Sequence, residues 1–470
     1  MTTRDADAPA GRGPADRGPA GAGDGVPAAP LPDVGGRGRT GTDRTPLPPV
    51  ATVRQWPRWS ELRDVVQFRR PQRGRGRRRL ADALSIPDLR AAARRTTPRA
   101  VFDYVDGAAE EEITAARNAA AYRRVTFRPD ALRSVADPDP GVELLGRRIA
   151  MPLVFAPTGY TRMMHHHGEA AVAAVAQHVG VPYALSTVGS TSIEDVRAAA
   201  PDGDLWFQLY FTADPRTNAD LLARAEAAGY STLLLTVDTT VSGMRRRDVV
   251  NGLTIPPTLT ARTVLDMSRF PAWWFNKLTT GGLTFASLAD VPGKPTPGAV
   301  ADLVFDPGLD LTSLAWVRER WRGRLLVKGV TTPGSAAEAV EHGADGVVVS
   351  NHGGRQLDRS AATLDVLPAV RAAVGRQATV LVDGGVLHGQ DVLAARALGA
   401  DAVMIGRAYL YGLMAGGRDG VLRAYQILAE EYLRSMQLLG VRRSADLADR
   451  HVAPGAHPGG DHPGHPGIPV

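Results

Sequence analysis

Short runs of apolar residues alternate with longer alanine-rich segments from Pro152 onward. The apolar runs cover residues 153–156, 183–186, 205–210, 232–237, 325–327, 346–349, 379–382 and 402–405. Runs that are apolar throughout are typical of parallel strands buried on both faces. Segments with helical spacing lie between them, among them residues 169–178, 193–200, 219–228, 333–341 and 389–398. Eight β-α units over about 250 residues predict an α/β fold, the closed (β/α)8 or TIM barrel.

An open, doubly wound parallel sheet is the alternative, because it is built from the same units. No GxGxxG motif follows any apolar run, so the sequence does not favour a dinucleotide-binding sheet. Helices are also predicted before the barrel. Ser85 is placed to cap a helix over residues 86–95, a second helix covers about residues 98–106, and an acidic helical run spans residues 110–122.

One connection within the barrel is too long for a simple loop. More than seventy residues separate Asp238 from Leu311, and long loops in compact domains usually serve as lids or mobile functional segments. The connection contains the aromatic run RFPAWWF, with Trp273, Trp274 and Phe275. We expect this run to pack over the barrel mouth; a peripheral membrane contact or a subunit contact is the alternative.

The net charge of +6 belongs to the N-terminal region and not to the predicted barrel. Residues 1–80 contain sixteen arginines against eight Asp and Glu, a net of +8, so residues 81–470 carry −2. The basic cluster at residues 69–79 is expected to be a solvated linker, with a contact to anionic lipid or nucleic acid as the alternative. No nucleic-acid partner is expected for the barrel itself.

Composition also divides the chain into three parts. Residues 1–80 form an Arg-, Gly- and Pro-rich arm and residues 453–470 a low-complexity tail, both expected to be disordered, which leaves residues 81–452 for the barrel domain. Neither a secretory signal nor an apolar run of about 18 residues occurs, so we expect a cytoplasmic protein, with peripheral binding at the inner face of the membrane as a variant. The absence of cysteine excludes disulfides, thiolate metal sites and thiol nucleophiles.

Polar or glycine residues follow every predicted strand, which is where barrels of this kind place their active sites. The loop SNHGGRQLD contributes Ser350, His352 and Arg355. A histidine exchanges a proton near neutral pH, and a guanidinium binds a carboxylate through two parallel hydrogen bonds. The loop therefore suggests proton removal from an organic acid, although a glycine-rich surface turn would explain it equally well in isolation. The other strand-end residues are Pro157, Thr158, Gly159, Ser186, Thr187, Gln208, Tyr210, Thr236, Asp238, Lys328, Asp383, Gly384, Gly385, Gly406 and Arg407.

Some of these residues have separable chemical roles. The three glycines at 384, 385 and 406 expose backbone N–H groups, and Arg407 adds a positive charge, which together predict a phosphate site after the last two strands. Lys328 can place an ammonium group against a cofactor that becomes anionic on reduction. The neutral side chains of Ser186, Gln208 and Thr236 suit the edge of a heterocycle, although each alone is also consistent with ordinary core hydrogen bonding.

Several motifs together resemble the FMN-dependent 2-hydroxy-acid dehydrogenase and oxidase family. They are SNHGGRQLD, FQLY at 207–210, LTVD at 235–238, LVKGV at 326–330, LVDGG at 381–385 and IGR at 405–407. The similarity spans roughly residues 84–451, and the family fold is a (β/α)8 barrel. The resemblance implies an FMN-containing oxidoreductase that forms a homo-oligomer, a tetramer in relatives.

Carried over by position, the resemblance implies that His352 is the catalytic base and that Asp238 pairs with its imidazolium. Arg245 and Arg355 are implied to hold the substrate carboxylate. Tyr104 and Tyr210 are implied to contact substrate oxygens. The implied cofactor contacts are Lys328 near N1 and O2 of the flavin, Ser186, Gln208 and Thr236 on the ring, Asp383 on the ribityl chain, and Pro157, Thr158, Gly159, Ser350, Gly384, Gly385, Gly406 and Arg407 elsewhere.

Three features of the sequence either depart from the family pattern or resemble only some members of the family. Relatives commonly place an arginine after DGGV for the phosphate, where this chain has Leu387 followed by His388. Gly159 resembles the lactate and mandelate dehydrogenases, since glycolate oxidases have alanine there. The run HHH at residues 165–167 resembles no known ligand set, so surface histidines and no metal site are expected.

The sequence thus predicts FMN-dependent oxidation of a small L-2-hydroxy acid to the 2-oxo acid. The stretches LSTVGS at 185–190 and TTVSGMRRRD at 239–248 favour L-lactate. Alternatives are an oxidase or monooxygenase that uses O2, and an enzyme acting on a peptide-derived hydroxy acid. A non-catalytic flavin- or partner-binding barrel is a further alternative, but His352, Arg245 and Arg355 speak against it. The electron acceptor, whether quinone, cytochrome or O2, stays open.

Overall fold

The computed structural model describes residues 80–253, 261–289 and 306–453. The predicted arm, apart from Leu80, and the predicted tail, apart from Ala453, lie outside these residues, as does the basic cluster at 69–79. The strands are β1 (Val142–Leu144), β2 (Arg147–Ile149), β3 (Leu153–Phe155), β4 (Tyr183–Ser186), β5 (Leu205–Tyr210), β6 (Thr232–Thr236), β7 (Arg324–Val330), β8 (Gly346–Val349), β9 (Thr379–Val382) and β10 (Ala402–Ile405).

Helices surround these strands and precede them. They are α1 (Ile86–Thr96), α2 (Arg99–Asp106), α3 (Ile113–Arg124), α4 (Thr161–Met164), α5 (Gly168–Val179), α6 (Ile193–Ala199), α7 (Pro215–Ala227), α8 (Arg246–Val250), α9 (Ala261–Ser268), α10 (Pro271–Thr279), α11 (Leu311–Arg320), α12 (Pro333–Glu341), α13 (Thr363–Val374), α14 (Gly389–Ala397) and α15 (Arg407–Leu438).

Strands β3 to β10 form a closed parallel barrel in chain order, with β10 paired to β3. This confirms the predicted (β/α)8 architecture. Alternate strand residues fill the barrel interior, among them Trp206, Leu234 and Met404, while their neighbours pack outward against the helices. The β1–β2 hairpin, which the sequence did not reveal, packs against the interior residues at the end where the strands begin.

The N-terminal helices follow the predicted order, with one shift. Ser85 caps α1 by accepting the N–H of Asp88, and the Asp88 carboxylate accepts the N–H of Ser85 in return. Helix α3 begins at Ile113 and not near residue 110, because Glu110 and Glu112 adopt left-handed backbone angles, with φ of 48° and 63°. Residues 110–112 therefore form a turn that separates α3 from α2.

The long connection between β6 and α11 contains α8, α9 and α10; residues 254–260 and 290–305 of it lie outside the described part. Trp273 packs inward, since its Nε1–H donates to the carbonyl oxygen of Met163 at 3.1 Å. On the same helix, Phe275 and Leu278 are 68% and 79% exposed. Among the described residues, no helix is both long enough and apolar enough to cross a bilayer.

Three arginines connect neighbouring β-α units of the barrel at the end opposite to the strand-end loops. They are Arg197 of α6, Arg318 of α11 and Arg371 of α13. Each guanidinium donates both to a carbonyl oxygen in the turn after its own helix and to an oxygen in the turn after the following helix. Arg371, for example, bonds to the carbonyls of Gly375 and Gly399 at 2.8 and 2.7 Å.

Arg371→Ala should lower the free energy of unfolding by about 1–3 kcal/mol, because it leaves several partly buried carbonyls without a donor. Arg376→Ala is the control, since Arg376 is exposed just beyond the end of the same helix; a surface change of this kind should stay within about 0.5 kcal/mol. Urea unfolding followed by circular dichroism gives both values. Equal losses of unfolding free energy in the two variants would contradict the stabilising role of Arg371.

Candidate active site

His352 and Asp238 meet at the strand-end face of the barrel, although 114 residues separate them. The Nδ1 atom of His352 lies 3.1 and 3.3 Å from the two carboxylate oxygens of Asp238. Burial raises the pKa of Asp238, but His352 and Lys328 outweigh it and hold this pKa below its usual range. An ionised Asp238 keeps the Nδ1–H tautomer in place and leaves Nε2 free to take a proton.

The backbone at His352 is strained. His352, Gly353 and Gly354 all have positive φ, at 55°, 63° and 78°. For a residue with a Cβ atom this conformation costs roughly 1–2 kcal/mol, and such strain persists where surrounding contacts enforce it. One such contact comes from Asn351, whose side-chain oxygen accepts the N–H of Gly354 at 3.2 Å.

Two guanidinium groups flank the ring of Tyr104. The Cζ atoms of Arg355 and Arg245 lie 5.0 and 5.4 Å from its centroid. Arg245 pairs with Asp248 at 2.6 Å, whereas Arg355 donates to the carbonyl oxygens of Tyr104 and Gly107. Burial, together with repulsion from Arg245, lowers the pKa of Arg355 to about 10. A carboxylate between these cations would relieve that repulsion.

Tyr210, the last residue of β5, completes this group. Burial and the charge of Asp238 raise the pKa of Tyr210 well above its usual value, so its hydroxyl remains protonated at neutral pH. Tyr104 and the two arginines lie near enough to influence the same pKa. The structure therefore brings together all six residues for which a catalytic or substrate role was predicted.

A line of neutral hydrogen-bonding groups crosses three neighbouring strand ends. The Ser186 hydroxyl donates to the side-chain oxygen of Gln208 at 2.9 Å, and the Gln208 amide donates to Thr236 at 2.9 Å. All three side chains are buried. The structure therefore places the three side chains predicted for the edge of a heterocycle next to one another.

Lys328 lies beside this line and is only 4% exposed. Its ammonium group is 3.1 Å from Asp383 and donates to Ser350 at 3.0 Å. Burial lowers the pKa of Lys328, but the charges of Asp383 and Asp238 more than offset this, so the pKa is raised and the group stays charged. The other carboxylate oxygen of Asp383 is buried without a hydrogen-bond partner in the described residues. A ribityl hydroxyl would satisfy this acceptor, so the residues present fit an FMN.

The residues predicted for the phosphate lie at the ends of adjacent strands. Gly384 and Gly385 follow β9, with φ of 91° and 89°, and Gly406 follows β10. Arg407 begins α15, but its guanidinium is already engaged. It donates to three backbone carbonyls, those of Val105, Gly107 and Gly353, at 2.9, 2.8 and 2.8 Å.

The departure at Leu387 leaves no cation at that position. The N–H groups of Leu387 and His388 donate to the carboxylate of Asp391 at 2.8 and 2.9 Å. The ring of His388 lies 3.5 Å from Glu431, and the hydrogen bond to this carboxylate raises the pKa of His388. These groups at the start of α14 therefore interact with the protein's own acids.

The loop after β3 packs tightly against the loop after β4. A Cβ atom at Gly159 would lie 2.6 Å from a methyl carbon of Val188, so a larger residue would push the two loops apart. Thr158 is held by its hydroxyl, which is 2.7 Å from the hydroxyl of Tyr409. Pro157, which precedes it, is partly buried.

Helix α3 contributes to the site in a way that the sequence analysis missed. A Cβ atom at Gly354 would lie 2.6 Å from the backbone nitrogen of Ala115, so this glycine admits the helix as a close neighbour. Asp358, at the end of the same loop, accepts the N–H of Thr114 at 2.8 Å in the first turn of α3. A signal was present in Asn118, a polar residue in the middle of an alanine-rich helix.

The three histidines at 165–167 lie together, with nitrogen atoms within 4.8 Å of one another. Their lone pairs are partly committed, since Nδ1 of His165 accepts the N–H of His167 and Nδ1 of His167 accepts that of Arg418. Burial, with the neighbouring histidines and Lys277, lowers the pKa of His165 to about 3. These two hydrogen bonds use Nδ1 only, and a lowered pKa keeps an imidazole in the neutral form that can bind a metal ion. His165 and His166 are half-buried, so only His167 is a surface histidine as predicted.

Comparison with known proteins gives consistent matches. A family model described as FMN-dependent dehydrogenase matches residues 93–454. A Mycobacterium tuberculosis protein provisionally named L-lactate dehydrogenase is 48% identical over 86% of this chain and 97% of its own length. The L-lactate dehydrogenase of Caulobacter vibrioides is 42% identical over 78% of this chain and 97% of its own length. The crystal structure of the monotopic membrane protein (S)-mandelate dehydrogenase is similar with a TM-score of 0.76 and 34% identity, over 79% of this chain and 99% of that chain.

Gly354→Ala should destabilise the protein more than Gly375→Ala, although both glycines have positive φ, at 78° and 69°. A Cβ atom at Gly375 meets nothing within 4 Å, so this control measures the conformational cost alone, about 1 kcal/mol. At position 354 the collision with α3 adds to that cost. Urea unfolding of both variants measures the difference. Equal losses of unfolding free energy would show that α3 moves aside without measurable cost.

Proposed function

Because the chain belongs to the family of FMN-dependent dehydrogenases, we propose that it oxidises a small L-2-hydroxy acid, with L-lactate as the first candidate, to the corresponding 2-oxo acid. The observation that carries this proposal is the His352–Asp238 pair beside the two arginines that flank Tyr104. A base held by a carboxylate, next to an excess of positive charge, suits an organic acid that must lose a proton. The names of the similar proteins favour lactate over mandelate.

FMN is the cofactor of this family, and when bound it takes up the two electrons that leave the substrate. The line of neutral side chains across β4, β5 and β6 would hold the ring edge, with Lys328 and Ser350 beside it. Asp383 would accept from the ribityl chain. The phosphate would lie against the amides of Gly384, Gly385 and Gly406. Arg407 would contribute charge there only after releasing some of its bonds to backbone carbonyls.

The chain's own groups then divide the work on the substrate. Arg355 and Arg245 bind the carboxylate and so fix the orientation of the molecule. Tyr104 and Tyr210 hold its oxygen atoms through their hydroxyl groups. His352 accepts a proton at Nε2, and the ionised Asp238 stabilises the imidazolium that results. Burial strengthens each of these interactions relative to water.

The direct test is anaerobic mixing of the purified protein with candidate acids while the flavin absorbance is followed. L-lactate should bleach the flavin, (S)-mandelate and glycolate should do so less effectively, and D-lactate should not. Heat-released flavin should co-migrate with FMN and not with FAD. A colourless protein, or one that no 2-hydroxy acid bleaches, would contradict the proposal.

His352→Gln and Arg355→Lys should fail in different ways. The glutamine cannot accept a proton at neutral pH, so flavin reduction should slow by roughly 10²–10⁴-fold while FMN content is retained. The lysine keeps the charge but loses the planar fork, so it should raise the substrate concentration for half-maximal rate as well. Stopped-flow bleaching over a range of L-lactate concentrations separates the two effects. A wild-type rate in His352→Gln would place the base elsewhere.

The acceptor and the assembly state belong to the same proposal. We expect a homo-oligomer, and an acceptor among quinones, cytochromes and O2. Steady-state turnover with each acceptor ranks them directly, because only the natural class should approach the rate of flavin reduction.

Helix α10 supports a second proposal, a peripheral membrane contact. Its outer side exposes Phe275 and Leu278, whereas Lys277 turns inward and donates to the carbonyl oxygen of Arg162. Exposed aromatic and aliphatic residues on one side of a helix suit the apolar boundary of a bilayer. A similar structure is that of a monotopic membrane protein.

Replacing Phe275 and Leu278 together by serine should reduce sedimentation with vesicles of anionic phospholipid, because it removes the exposed apolar surface of α10. Leu438→Ser is the control, since Leu438 is 73% exposed at the end of α15. Turnover with a soluble dye should be unchanged in both proteins. Equal vesicle binding by the wild type and the double variant would remove α10 as the contact.

A further inference from the structure

We propose that Asn118 is a positioning residue, which from outside the barrel holds the loop carrying His352 and Arg355 in register with the Gly384–Gly385 turn. The inference rests on the proposed function, because it concerns the base and the cofactor turn that this function uses. Asn118 makes no hydrogen bond to His352 or Arg355 and acts through Asn351.

The contact is a reciprocal pair of buried amides. Asn118 and Asn351 are 1% and 5% exposed, and each donates its NH2 group to the other's oxygen, at 2.8 and 2.9 Å. Their remaining capacity is largely used as well. The Asn118 oxygen accepts the N–H of Thr363, the Asn351 oxygen accepts that of Gly354, and the Asn351 NH2 group donates to Ala361.

This pair supports the strained part of the catalytic loop. Asn351 directly precedes His352, whose φ of 55° needs support from its surroundings. The Asn351 side chain supplies that support through its bond to Gly354. Because Asn118 fixes the orientation of the Asn351 amide, it fixes indirectly where the imidazole of His352 lies.

The same side chain touches the second loop. A Cβ atom at Gly384 would lie 2.9 Å from the NH2 nitrogen of Asn118 and 3.3 Å from the oxygen of Asn351. A Cβ atom at Gly385 would lie 2.7 Å from the backbone carbon of Asn118. The glycine turn after β9 therefore rests on the amide pair, and a shift of Asn118 moves both loops together.

Asn118→Ala leaves Asn351 with an unsatisfied buried amide. We expect FMN release from the diluted holoenzyme, followed by flavin fluorescence, to show an affinity roughly 10-fold weaker, and flavin reduction by L-lactate to slow by roughly 10-fold as well. Asn351→Ala should have the same two effects. The double variant should be little worse than either single one, since residues in one network are not additive.

Asn218→Ala is the matched control. Asn218 is also fully buried, in the first turn of α7, and its amide bonds to Thr212 in the loop that precedes this helix. Its loss should lower the melting temperature while leaving FMN affinity and the rate of flavin reduction within about 2-fold, as expected for an independent site. A second variant, Asn118→Asp, has the same size but cannot donate to the Asn351 oxygen, and it should act in the same direction as Asn118→Ala.

The inference is overturned if both Asn118 variants change only the melting temperature, as Asn218→Ala does, or if the effects of the Asn118 and Asn351 changes add in the double variant. Both results require a wild-type protein that contains FMN and is bleached by a 2-hydroxy acid. Failure of the wild type in that assay would instead refute the proposed function.

Discussion

The docking of α3 against the loops after β8 and β9 is the contact on which the geometry of the site depends. It brings a helix that precedes the barrel in sequence to within van der Waals contact of both loops. Gly354, Gly384 and Gly385 combine positive φ with too little room for a side chain toward this helix. Gly354 and the two glycines of the DGG motif therefore have a structural cause in addition to the proposed role of Gly384 and Gly385 at the phosphate. The catalytic loop is shaped from behind, by the protein itself.

Charge is distributed unevenly over the site that results. At the proposed cofactor end, Lys328 and Asp383 form a buried pair whose charges balance. At the proposed substrate end, Arg355 and Arg245 both lie near the ring of Tyr104, with Asp248 as the carboxylate paired to Arg245. Burial lowers the pKa of Arg355, and repulsion from Arg245 lowers it further. An incoming carboxylate supplies the missing negative charge, so binding and orientation of an acid follow from the same feature.

Much of the fold was readable in the sequence because each barrel strand is a short run that is apolar on both faces. The β1–β2 hairpin was not, since its strands have three residues each and Arg147 and Arg148 interrupt the apolar pattern. The start of α3 was misplaced because residues 110–112 look helical in composition, whereas Asp358, distant in sequence, accepts the backbone N–H groups at the start of the helix.

The site residues likewise include some that the sequence revealed and some that it did not. His352 and Arg355 were visible as chemistry on one loop, but the pairing of His352 with Asp238 came from resemblance, as no local spacing predicts a contact across 114 residues. The engagement of Arg407 by three backbone carbonyls could not be foreseen, because a sequence does not show which acceptors surround a guanidinium. Asn118 was missed for the same reason.

The hydrogen bonds of Arg197, Arg318 and Arg371, at the opposite end of the barrel, affect which parts of this fold can vary. Each of these arginines links two consecutive β-α units through hydrogen bonds. The bonds lie at the end of the barrel opposite to the proposed active site. Arg318 lies on the helix that follows the longest insertion and bonds to Asp345 beyond the next helix. The segment between β6 and α11 can therefore be lengthened or replaced in evolution without breaking the hydrogen bonds of Arg318. Changes in that segment are in this way uncoupled from the hydrogen bonds that hold the β-α units of the barrel together.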